Sequence, residues 1–168
     1  MKNIYLIGFM GTGKSSIASS LGKNCHMEVV EMDEAIENKE GMTISEIFSR
    51  KGEEYFRQVE SQLIMEIGAK NNQVVSCGGG TPMRQENVDE MKKSGTIVLL
   101  TATPQTVFER VRHSNNRPLL NSNMNVEYIS KLMEQRREKY EAAADIIIDT
   151  NDKAKDTIVN EIIHIFAK

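Results

Sequence analysis

Gly8-Phe9-Met10-Gly11-Thr12-Gly13-Lys14-Ser15 matches the pattern G-x-x-x-x-G-K-[ST] in full. Such a stretch binds polyphosphate. Its glycines let backbone N–H groups turn inward around phosphate oxygens, and a helix opening at Lys14 adds the positive end of its dipole. Lys14 would reach the β- and γ-phosphates, and the Ser15 hydroxyl would bind Mg²⁺. The pattern therefore predicts a nucleoside triphosphate ligand. The N-K-x-D segment that reads guanine is missing, because Asn38-Lys39 is followed by Glu40-Gly41, so ATP is the expected nucleotide. A Walker B aspartate is missing too, since the run Val74–Cys77 ends in Ser76-Cys77.

Directly after that run stand Gly78, Gly79 and Gly80. Glycines at the C-terminal end of a parallel strand leave bare backbone where open α/β sheets bind their ligands, so this second stretch is read as room for the acceptor. Other residues are ambiguous alone. Asp33 stands where a helix beginning near Glu34 would have its N-cap. Arg57, flanked by Glu53, Glu54 and Glu60, reads as an ion-pairing helix residue, with Glu60 at i+3 placed to orient it. Cys77 reads as a buried thiol, and His26, His113 and His164 show no metal spacing.

The elements that must position these residues alternate. Asn3–Ile7 is a short apolar run closed by glycine, a buried strand. A helix from Lys14 to Lys23 turns Ile17, Ala18 and Leu21 to one face. Further strands are expected at Met27–Met32, Gln73–Cys77, Thr96–Leu100 and Asp145–Ile148. Thr43 with Glu46 forms a capping box for a short helix, and a longer one runs from about Glu53 to Ala69. Pro104 suits the first turn of a helix after the fourth strand. Helices also occupy Val126–Ala144 and the segment marked by Ile158, Ile162, Ile163 and Phe166. Strands alternating with helices predict a parallel sheet covered on both faces, an α/β fold. The asparagine-rich stretch His113–Asn125 reads as a mobile loop.

At 168 residues the chain has the length of one domain, 1–168, large enough for a proper core. A net charge of −3 gives no electrostatic case for nucleic acid or an anionic membrane. No stretch is long and apolar enough to span a bilayer. The 2 cysteines in a chain of this length, with no secretion signal, point to a reducing cytosol and a cytoplasmic protein.

Taken together, GTGKSS (11–16), EMDEAIE (31–37), FRQVE (56–60), SCGGGTP (76–82), RPLL (117–120) and RREKY (136–140), in this order, resemble the shikimate kinases, small P-loop kinases of the nucleoside-monophosphate-kinase class. The likeness spans nearly the whole chain. It implies a three-layer αβα P-loop fold with a five-stranded parallel sheet in the order 2-3-1-4-5 and a mobile lid at about 113–125. It implies transfer of the ATP γ-phosphoryl group to the 3-hydroxyl of shikimate, with Mg²⁺; a monomer is expected. The loop residues Gly11, Thr12, Gly13, Lys14, Ser15 and Ser16 would hold the nucleotide phosphates. Arg110, with Thr150–Lys153, would flank adenine, and Arg117 in the lid would reach the phosphates. Asp33 would orient or deprotonate the attacking hydroxyl. Arg57 and Arg136 would hold the carboxylate, Arg136 being preferred to Arg137, while Gly78, Gly79 and Gly80 would line the acceptor and Gly79 would offer its N–H. The family's usual D-x-D is here Glu31-Met32-Asp33, and Glu31 would join the Mg²⁺ shell through water.

The chemistry agrees, since a guanidinium fork matches a carboxylate in two parallel hydrogen bonds. Two alternatives stay open: a kinase of another small carboxylated polyol such as gluconate, and a nucleotide-binding relative that has lost catalysis.

Overall fold

A computed structural model of the chain describes residues 2–112 and 125–167. Strand β1 is Asn3–Ile7, β2 Glu28–Glu31, β3 Gln73–Ser76, β4 Gly95–Thr101 and β5 Ile146–Asp149. They form one parallel five-stranded sheet in the order β2-β3-β1-β4-β5, with Ile4 opposite Val74 on one side of β1 and opposite Thr96 on the other. The helices are α1 Lys14–Cys25, α2 Met32–Glu40, α3 Ile44–Lys51, α4 Glu53–Gly68, α5 Gln85–Ser94, α6 Pro104–Val111, α7 Val126–Ala143 and α8 Lys155–Phe166. Among the described residues a 3-10 turn occupies Thr81–Met83.

Strand alternation divides the core. Ile4, Leu6, Val74, Val98 and Leu100 point to one face and pack with Ile17, Ala18 and Leu21 of α1 and Ile158, Val159 and Ile162 of α8. Tyr5, Ile7, Val75, Ile97 and Leu99 point to the other and meet Ile64 and Ile67 of α4, Val88 and Met91 of α5, Val107 of α6 and Ile129 of α7. Successive side chains on a strand face opposite ways, so a continuous apolar run here means burial on both sides. Ile36, Ile47 and Phe56 make a small satellite core where α2 and α3 lean on α4, beside the C-terminal edge of β2.

Local signals explain most element ends. Thr43 caps α3 through a reciprocal box with Glu46, and Thr103 caps α6, with Pro104 at the first helical position. α2 differs from expectation. It opens at Met32, one residue after β2 ends, with Glu31 as N-cap, so Asp33 lies inside the first turn and is not the cap. α5, which the sequence reading did not include, lies between the 3-10 turn and β4. The stretch read as a lid lies outside the described residues but for Asn125, the N-cap of α7, whose side chain accepts from Tyr128 N–H. Among the described residues no helix is long and apolar enough to cross a membrane.

Candidate active site

The site gathers at the C-terminal edge of β1, β2 and β3. β1 runs into the glycine loop, where Gly8, Gly11 and Gly13 all have positive φ (148°, 82° and 94°). Left-handed backbone of this kind is open to glycine at no steric cost. The loop is also held from inside, because Thr12 Oγ1 donates to Phe9 O at 2.7 Å. Lys14 Nζ donates to Gly8 O at 2.7 Å and to Phe9 O at 3.2 Å, so its ammonium lies along the loop it serves. Ser15 and Ser16 are exposed at the opening of α1.

Beside Ser15 stands Glu31, the last residue of β2. Ser15 Oγ donates to Glu31 Oε2 at 3.0 Å, and Ser76 Oγ, at the end of β3, lies 3.5 Å from Ser15 Oγ. Hydroxyl and carboxylate oxygens suit a hard cation such as Mg²⁺, which prefers few protein ligands and takes the rest from water and phosphate. Among the described residues no cluster of three or more His, Cys, Asp or Glu could hold a metal ion.

The second glycine stretch follows β3. None of Gly78, Gly79 and Gly80 has positive φ, so backbone conformation does not require glycine there. What requires it is space. A Cβ on Gly78 would stand 3.0 Å from Asp33 Oδ1 and 3.2 Å from Glu60 Oε2. On Gly79 it would stand 3.1 Å from an Arg136 guanidinium nitrogen, and on Gly80 2.5 Å and 2.6 Å from the two terminal nitrogens of Arg57. The room left by the missing side chains is filled by this chain's own charged groups. Asp33 from α2, Arg57 from α4 and Arg136 from α7 thus meet around three consecutive residues.

Each guanidinium is held in place. Arg57 Nη1 pairs with Glu60 Oε1 at 3.0 Å, and its Cζ lies 5.2 Å from the centre of the Phe56 ring. Glu60, 1% exposed, accepts a further bond from Thr81 Oγ1 at 2.8 Å. Burial pushes the Glu60 carboxyl above its ordinary pKa, with Arg57 and Thr81 pulling the other way. Arg136 lies with its Cζ 5.7 Å from the centre of the Phe9 ring, in the nucleotide loop. Arg137 instead faces solvent and pairs with Glu134 at 3.2 Å.

Arg110 and Lys153 lie on the far side of the loop. Arg110 donates to Gly11 O at 3.0 Å and to Thr150 Oγ1 and Thr150 O at 3.2 Å each, tying the glycine loop to the turn after β5. Lys153 pairs with Glu161 of α8 at 3.0 Å. Arg117 lies outside the described residues. Cys77 is buried, with its Sγ 3.9 Å from Met91 Sδ, and desolvation raises its thiol pKa so far that it stays protonated and inert.

One participant escaped the sequence reading. Tyr140, on the last turn of α7, donates its hydroxyl to Gly79 O at 2.6 Å. Its position four residues after Arg136 is the signal that could have found it, because i and i+4 share a helix face.

Comparison with known proteins adds an independent observation. The family model for shikimate kinase matches residues 10–167. A shikimate kinase from Thermodesulfovibrio yellowstonii is 44% identical, over 97% of this chain and 94% of the relative. One from Persephonella marina is also 44% identical, over 97% and 98%. Among solved structures, the shikimate kinase of Acinetobacter baumannii in complex with shikimate superposes with a TM-score of 0.93 at 30% identity, covering 99% of this chain and 93% of that one.

Proposed function

The chain belongs to the shikimate kinase family, and we propose that it transfers the γ-phosphoryl group of ATP to the 3-hydroxyl of shikimate, giving shikimate 3-phosphate and ADP. The observation that carries this reading is the meeting of Arg57, Arg136 and Asp33 around Gly78–Gly80, beside the nucleotide loop. Two guanidinium groups held by other protein contacts form a cationic cradle for one small carboxylate. The carboxylate of Asp33, next to Gly78, takes the position of the group that orients the acceptor hydroxyl and receives its proton.

Phosphoryl transfer needs mostly positioning and charge neutralisation. The N–H groups of Gly11, Thr12, Gly13, Lys14, Ser15 and Ser16 cradle the phosphates at the head of α1. Lys14, which rests on Gly8 O and Phe9 O, exchanges those carbonyls for the β- and γ-phosphate oxygens. Ser15, with its proton committed to Glu31, keeps its lone pairs for Mg²⁺, which Ser15 and Glu31 would together hold. When bound, Mg²⁺ would supply charge neutralisation at the phosphates. Arg110 and Lys153 border the adenine, Arg117 supplies positive charge for the phosphates, and Gly79 offers its N–H to the acceptor. The protein acts as a cytoplasmic monomer.

An ADP-release assay on a substrate panel tests the reading. Turnover with shikimate and none with gluconate is expected, and the reverse would overturn it. In the same assay Asp33→Asn should keep ATP binding and lose at least about 10²-fold in kcat, the scale of a positioned acid–base group.

A further inference from the structure

The three carbonyls of the second glycine stretch are fixed in different ways. Gly78 O and Gly80 O accept from Thr81 and Met83 N–H at 3.1 Å each, on entering the 3-10 turn. Gly79 O accepts instead from a distant side chain, the Tyr140 hydroxyl of α7, at 2.6 Å. That carbonyl belongs to the peptide between two glycines, where no Cβ resists rotation of the plane. In a trans peptide C=O and N–H point opposite ways, so fixing Gly79 O also aims the Gly80 N–H. The Tyr140 hydroxyl has one proton, given to Gly79. The Arg136 guanidinium lies beside it, since a Cβ on Gly79 would meet an Arg136 guanidinium nitrogen at 3.1 Å and the Tyr140 hydroxyl at 3.8 Å. Tyr140 is 5% exposed and burial raises its pKa, so the proton stays in place at neutral pH.

We propose that Tyr140 is a positioning residue: one hydroxyl couples the Arg136 guanidinium to the plane of the Gly79–Gly80 peptide and so sets how tightly the acceptor's carboxylate is held. The inference rests on the reading of Arg136 as a carboxylate-binding group. The tyrosine ring packs in the main core with Ala143 and Ile129, so Tyr140→Phe keeps the packing and removes only the coupling atom.

Steady-state kinetics on the whole chain test it. Tyr140→Phe should raise KM for shikimate about fivefold to twentyfold, the range for leaving one buried acceptor unpaired, and leave KM for ATP within about twofold. Preference for shikimate over its uncharged methyl ester should fall by a similar factor. In an Arg136→Ala background the same change should have a clearly smaller effect on shikimate KM, because the coupled partner is already gone. Equal rises in both KM values, or an undiminished effect in the Arg136→Ala background, would make Tyr140 a merely structural residue. Absence of shikimate turnover by the unmodified chain overturns both the functional reading and this inference. Normal turnover with an unchanged KM in Tyr140→Phe overturns this inference alone.

Discussion

Glu60 holds two donors, Arg57 Nη1 and Thr81 Oγ1, where solvent hardly reaches. Desolvation raises its pKa, so the folded chain binds this proton more tightly than the unfolded chain does. Its contribution to stability is then fully present below the ordinary glutamate pKa and is lost as pH rises through the raised value. The melting temperature of the wild type minus that of Glu60→Gln should fall across that window and level off above it. A difference that rose with pH would mean Arg57 outweighs burial. The Arg57–Glu60 pair was legible in the sequence because i and i+3 share a helix face, and the nucleotide loop was legible because its parts are contiguous. Tyr140 was not. A tyrosine on an amphipathic helix reads as core, and nothing local says that its hydroxyl meets a glycine carbonyl 61 residues away in sequence.

At the scale of elements, the turn after β3 is built for clearance. Gly80 has φ −96° and ψ −1°, ordinary for alanine, so its substitution strains no backbone. Yet a Cβ there would press on the Arg57 guanidinium at 2.5 Å, against the far end of a flexible side chain that can move aside. Gly80→Ala should therefore keep the fold and lose the site. Shikimate KM should rise about tenfold or more, as for loss of a charge-assisted pair, while the melting temperature shifts by no more than about 4 °C. Equal damage to stability and to binding would contradict this account. The strands were legible as apolar runs bounded by glycine and polar residues. α5 was not, because QENVDEMKKS buries only Asn87, Val88 and Met91 and shows too little apolar period to announce a helix. The start of α2 was misplaced for a related reason. No linker separates it from β2, and its N-cap Glu31 makes no side-chain capping bond that would mark the boundary.

Across the whole molecule the two ends of the sheet do different work. The C-terminal edge carries the charged groups described above. At the N-terminal edge Asn3, fully buried, donates to Lys70 O at 3.1 Å and accepts from Gln73 N–H at 3.0 Å, while Tyr5 and Ser94 share a 2.6 Å bond. This network has no route to the substrates. Asn3→Ala should lower stability by about 2–4 kcal/mol, because it leaves buried partners unsatisfied, with kcat unchanged below the melting range. Chemical denaturation together with single-temperature kinetics would show the separation, and a matching loss of kcat would deny it. The strand order has a last consequence, for synthesis. β1 is central and pairs with β3 and β4, never with β2, its nearest strand in sequence. As it leaves the ribosome it is an apolar ribbon with no neighbour to zip onto, and it must wait until Val74 emerges to face Ile4. Nascent chains halted short of β3 should therefore depend on chaperones, and those halted just beyond β4 far less.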